Sequence, residues 1–183
     1  MKKIITTIVV LLSLSIMTKA QNQSSSGTQS TELALSNAID ITFIGTDNST
    51  GSDVDLVFNN VNDYANGVES SNYRIRVRSN KEFMVQAKTS SNNFSYSGNT
   101  NPAPVLKVNN HLFIKVTNNS TGGSVPNAVN QQYSTLKKGN RKLIKNGTPG
   151  DNNTFDIQYK ATPGFEYPAG TYSVDVIYTA TQS

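Results

Sequence analysis

From residue 33 onward apolar and polar residues alternate with a period of two, and helical periodicity is nearly absent. Leu33, Leu35, Ile39, Ile41 and Phe43 share one face of the first run, with Glu32, Ser36, Asp40 and Thr42 opposite. Val54, Leu56 and Phe58 form a second set. In the third, Tyr73, Ile75 and Val77 point one way while Arg74, Arg76 and Arg78 point the other. Phe83 to Ala87 follows after Ser79-Asn80-Lys81, which predicts a hairpin. A second hairpin is predicted where Leu106 and Val108 precede Asn109-Asn110 and the run Leu112 to Val116. Phe155, Ile157 and Tyr159 make a late strand, and Tyr172, Val174, Val176, Tyr178 and Ala180 make the last. Asn-, Gly- and Ser-rich turns separate these runs, and only residues 118–148 lack a clear pattern. One buried face per strand and short turns predict an all-β fold, an antiparallel immunoglobulin-like sandwich of about seven to nine strands. It occupies residues 32–183 as a single domain.

Residues 1–20 break this pattern. Lys2 and Lys3 precede an apolar run from Ile4 to Ile16, and Thr18 and Ala20 supply small residues for cleavage. This is the layout of a secretory signal peptide, with an apolar stretch too short to span a bilayer. Residues 21–31 then read as a flexible polar extension. The expected mature chain is exported, to periplasm, cell surface or medium, and carries no transmembrane segment.

The formal net charge of +4 changes meaning once the leader is set aside. Removing its three lysines leaves 13 basic against 12 acidic groups. Nucleic acid, bound by many Lys and Arg through counterion release, is therefore not an expected partner. The chain has no cysteine, so disulfides, thiol catalysis and zinc ribbons are excluded. Its single histidine, His111, reads as a turn residue, and no nucleophile–base pair or phosphate loop is visible. The expectation is a non-enzyme without cofactor or catalytic and metal ligands. Asp47, Asn48, Asp53 and Asp55 crowd one loop, but their spacing matches no EF-hand and such residues are common in turns.

Two basic features remain. Arg74, Arg76 and Arg78 form a stripe, and Lys137, Lys138, Arg141, Lys142 and Lys145 form a cluster. Together they are a candidate surface for an anionic glycan, or else a solvated face that discourages edge pairing.

The segment from Phe155 to Tyr159, then Ala161-Thr162-Pro163-Gly164, then Tyr167-Pro168-Ala169-Gly170-Thr171-Tyr172 and on to Thr179 resembles the closing hairpin of small exported bacterial β-sandwich domains. It is similar to the end of the spore coat protein U-like domain of archaic chaperone–usher pilins and of WxL-like surface domains. Ser79 to Thr89 resembles the second hairpin of such domains. The resemblance implies a fimbrial or coat subunit whose partners are copies of itself or related subunits, with a chaperone and an usher.

Donor-strand addition needs an extended segment with alternating knobs. Leu33, Leu35, Ile39, Ile41 and Phe43 are the candidate donor positions. The same residues also read as the chain's own first strand. A secreted module for cell-wall or surface glycans is the alternative function.

Overall fold

The computed structural model describes residues 29–44 and 53–183. The expected leader, residues 21–28 of the expected extension, and Asp47 and Asn48 of the acidic loop lie outside the described residues.

Two antiparallel sheets carry the fold. The first runs in the order β1 (Ile39–Ile44), β3 (Tyr73–Ser79), β9 (Gly150–Ala161), β6 (Leu112–Ser120) and β7 (Ser134–Thr135), with β2 (Val68–Glu69) also on β9. The second runs β11 (Val176–Gln182), β4 (Phe83–Thr89), β8 (Arg141–Gly147). A two-stranded ribbon pairs β5 (Ser95–Ser97) with β10 (Thr171–Ser173). Of these strands seven have six residues or more, and the rest are two- or three-residue pieces.

Alternation decides which face of each strand is buried. Ile75 and Val77 of β3, Ile114 and Val116 of β6, and Phe155 and Ile157 of β9 are shut off from solvent on the first sheet. Phe83, Val85, Leu143 and Ile144 meet them from the second. Each such side chain contributes about 1.5–3 kcal/mol on leaving water. The approach is tight at Gly147, where an added Cβ would run into the Phe83 ring.

Strand pairing departs from the sequence reading in several places. β3 and β4 do not form a hairpin; the turn at residues 80–82 carries the chain from one sheet to the other, so Val77 and Phe83 enter the core from different sheets. The second predicted hairpin is also absent. Val108–His111 forms a short helical turn, α2, and Leu106 accepts a bond from the Phe94 amide. The predicted last strand is two strands in different sheets, β10 and β11, broken at residues 174–175. Residues 118–148 contain the end of β6, β7 and β8.

A helix not read from sequence, α1 (Val61–Asn66), follows Phe58. Asn60 accepts from the amides of Asn62 and Asp63, and the Asp63 carboxylate accepts from the Asn60 amide, a reciprocal cap that starts a helix of only six residues. Tyr64 on this helix packs against Phe58 and stacks on Phe165.

The order β1-β3-β9-β6 is that of the A-B-E-D sheet of an immunoglobulin-type sandwich, and β4 and β11 take the C and F places. β11 pairs with β4 along one edge. No described strand pairs with its other edge, where the G strand of such a sandwich lies.

Candidate functional site

The free edge of β11 borders two different surroundings. Beside its C-terminal half lies β1. The Gln182 side-chain amide donates to the carbonyl of Ala38 and to Asn80 Oδ1, both at 2.9 Å, and the ring of Phe43 meets that of Tyr178. Beside its N-terminal half, and along residues 173–175, a cavity of about 940 Å³ opens.

The far wall of that cavity is residues 53–58. This segment keeps the alternation predicted for it: Val54, Leu56 and Phe58 are half-buried while Asp53, Asp55 and Val57 are exposed. Val54 and Leu56 pack on the core. The predicted strand is nevertheless missing, because among the described residues none pairs its backbone with this segment. The floor between the two walls is apolar, formed by Tyr73, Phe94, Leu106, Leu112, Ile157 and Tyr159. The cleft is thus apolar at its floor, with polar residues in its walls, and is bordered by residues 53–58 and by β11, which have no backbone partner there among the described residues. Asp53, Asp55 and Asp175 also line it, as does His111, whose Nδ1 is held by the Thr162 carbonyl at 2.9 Å and whose Nε2 faces the Tyr167 hydroxyl at 3.3 Å.

The candidate donor positions divide. Ile39, Ile41 and Phe43 lie in β1, paired with β3 of the same chain, and Ile41 packs on the core. Leu33 and Leu35 precede β1 in a stretch without regular structure and are 80% and 81% exposed. Leu33 belongs to a separate N-terminal unit of residues 1–34, whereas residues 35–183 form one compact unit.

The basic candidates divide as well. Arg74 donates to both carboxylate oxygens of Asp156, at 2.7 and 3.0 Å, and Arg78 donates to Asp40 at 2.6 Å. The hydrogen bond from Arg78 holds the Asp40 carboxyl below its usual range. Arg76 lies between them with a buried, unpartnered Nε. Arg141 turns away from the cluster to donate to the Thr135 carbonyl at 3.0 Å. Lys137, Lys138, Lys142 and Lys145 remain exposed. Of the acidic loop, Asp53 and Asp55 are exposed, and among the described residues no three His, Cys, Asp or Glu side chains gather as metal ligands. No helix of the described residues is long and apolar enough to cross a membrane.

Sequence reasoning missed the cleft because alternation reports a buried face and says nothing of whether a ladder partner exists. The signal for it was the run Val54-Leu56-Phe58, which has the pattern of a strand.

No family model matches the chain, and no curated protein does. Among solved structures, one of a chaperone–usher pilus, concerned with rod uncoiling, is similar over 89% of this chain and 97% of that chain, at 10% identity and a TM-score of 0.37. At that level the likeness carries no argument, and the sandwich rests on its own strand order.

Proposed function

We propose that this protein is a non-catalytic structural subunit of a bacterial surface filament or coat, joined to its neighbours by strand addition into the cleft between residues 53–58 and β11. One observation carries the reading: residues 53–58, which keep the alternation of a strand, and the free edge of β11 both border the cleft and have no backbone partner there among the described residues. An inserted strand would supply ladder bonds to both walls and place alternate side chains on the apolar floor. Residues 31–36 of another copy are the proposed donor. There Leu33 and Leu35 alternate with Glu32, Ala34 and Ser36 and are strongly exposed. Their spacing of about 7 Å along an extended chain matches every second residue of the recipient strand. The leader pattern of residues 1–20 supports export, and a chaperone lending a temporary strand, with an usher, would fit the assembly route.

The test is assembly of the mature protein with both leucines changed, Leu33→Asp with Leu35→Asp, followed by sedimentation and electron microscopy. Donation predicts that the wild type polymerises and the variant stays monomeric with an unchanged unfolding midpoint. Equal polymerisation of the two, or a wild type that stays monomeric even with chaperone and usher supplied, would remove the reading.

A further inference from the structure

Charge is spread unevenly over the two sheets. On the first, four of the five strand cations meet acids, Arg76 excepted: Arg74 with Asp156, Arg78 with Asp40, and both Lys115 and Lys160 with Glu69. On the second, Lys88, Lys142 and Lys145 make no ion pair among the described residues, and neither do Lys137 and Lys138 in the loop leading into β8.

Backbone geometry gathers these lysines. Leu143 and Ile144 are both fully buried at a register shift between β4 and β8, so the chain turns Lys142 and Lys145 to solvent on either side of them. Lys142 stands across from Gln86, and Gln86 across from Thr179. Lys88 lies two residues beyond Gln86 on the same face of β4, placing it diagonally about 7–8 Å from Lys142. The Thr89 amide donates to the carbonyl of Lys137 at 3.0 Å, which fixes that loop at the end of β4.

Neighbouring like charges lower stability, so the arrangement calls for a reason. Protection of a sheet edge is one use of lysine, but Lys88 sits on β4, the central strand of its sheet, where no edge needs protecting. We infer that the solvent face of the β11-β4-β8 sheet, around Lys88, Lys142 and Lys145, binds an anionic polysaccharide. The ammonium groups meet carboxylates or sulfates, and Gln86, Thr179 and Thr181 offer amide and hydroxyl groups to sugar hydroxyls. The outward residues of this face are Met84, Gln86 and Lys88 on β4, Ile177, Thr179 and Thr181 on β11, and the two β8 lysines. They include no aromatic ring on which a base could stack. Duplex binding also rests on more phosphate contacts than this small set provides.

The experiment is affinity electrophoresis of the mature protein through gels containing polygalacturonate, neutral dextran or duplex DNA. The wild type should be retarded by polygalacturonate at low salt and released as salt rises, with no retardation by dextran. The triple variant Lys88→Gln, Lys142→Gln, Lys145→Gln should bind roughly tenfold more weakly, three charge contacts being lost. Its unfolding midpoint should not fall, because these lysines hold no ion pair among the described residues. Arg78→Gln should bind as the wild type does. No retardation of the wild type, equal retardation of the triple variant, or tighter binding to duplex DNA than to polygalacturonate would overturn the assignment. None of these outcomes depends on whether filaments form.

Discussion

The ring of Phe43 meets the ring of Tyr178 edge-on, with centroids 5.4 Å apart, and this pair links the first strand of one sheet to the last strand of the other. Behind it, the hydroxyls of Tyr178 and Tyr159 share a hydrogen bond. Burial pushes the Tyr159 hydroxyl up from 10.0 to about 12 and raises that of Tyr178 as well. The folded state therefore holds these protons where the unfolded chain has lost them. Stability should be level up to about pH 10, the unfolded tyrosine value, and then fall as pH rises toward 12. Urea midpoints taken across that window test this. Tyr159→Phe should flatten the slope, and an unchanged slope would mean that other groups set the alkaline limit.

The two arginine pairs on the first sheet should differ in worth. Asp156 is 9% exposed and accepts two bonds from Arg74 and one from Asn118, whereas Asp40 is 48% exposed. Asp156→Ala removes a nearly buried acceptor, and because the Arg74 side chain is 41% exposed and can turn to water the cost should be about 1 kcal/mol. Asp40→Ala should leave the denaturation midpoint within error, as exposed pairs commonly do. Comparable losses from both would mean that Asp40 is held by something other than a solvated ion pair.

Adjacent residues of β11 give a second contrast. Val176 packs against the core, and Ile177 is 41% exposed on the opposite face. Val176→Asp puts a charge at a half-buried position between core and cleft and should cost about 1–3 kcal/mol, a large share of the stability of a marginal domain. Ile177→Asp should cost well under half as much. If circular dichroism finds both variants unfolded, the outer face of β11 is covered in the folded protein.

What the sequence disclosed and what it hid both follow from the period-two pattern. Tyr73-Ile75-Val77 and Phe155-Ile157-Tyr159 were legible because their alternate residues are buried apolar side chains and the β3–β9 register shift falls only after Val77. The pattern names a face but never a neighbour, so β3 and β4 read as a hairpin when they cross between sheets. β8 was illegible for a different reason. Its register shift buries Leu143 and Ile144 in succession, which breaks the alternation. Leu136 and Val129 are fully buried, yet Leu136 only follows a two-residue strand and Val129 lies in a turn, so neither sits in a periodic run. The basic candidates were found as a composition, and only pairing distances separated the neutralised arginines from the free lysines. The cleft was half legible: its wall was named, its missing partner was not.

That missing partner gives the last prediction. Residues 54–58 alternate in burial and pack through Val54 and Leu56 on the core and Phe58 on Tyr64, but their amides make no hydrogen bond among the described residues. Local stability of a backbone segment is set by its hydrogen bonds and buried contacts. In the monomer these amides should exchange with solvent orders of magnitude faster than those of β4, which is paired on both sides by β11 and β8. Strand addition would give the segment and the free edge of β11 a ladder, so their amides should become protected together on assembly while β4 stays as it was. Hydrogen exchange followed by mass spectrometry, on monomer and on assembled material, reads both states. Protection that appears in residues 54–58 without β11, or in neither, would place the junction between subunits elsewhere on the molecule. Fast exchange of β4 in the monomer would mean that the second sheet itself forms only on assembly.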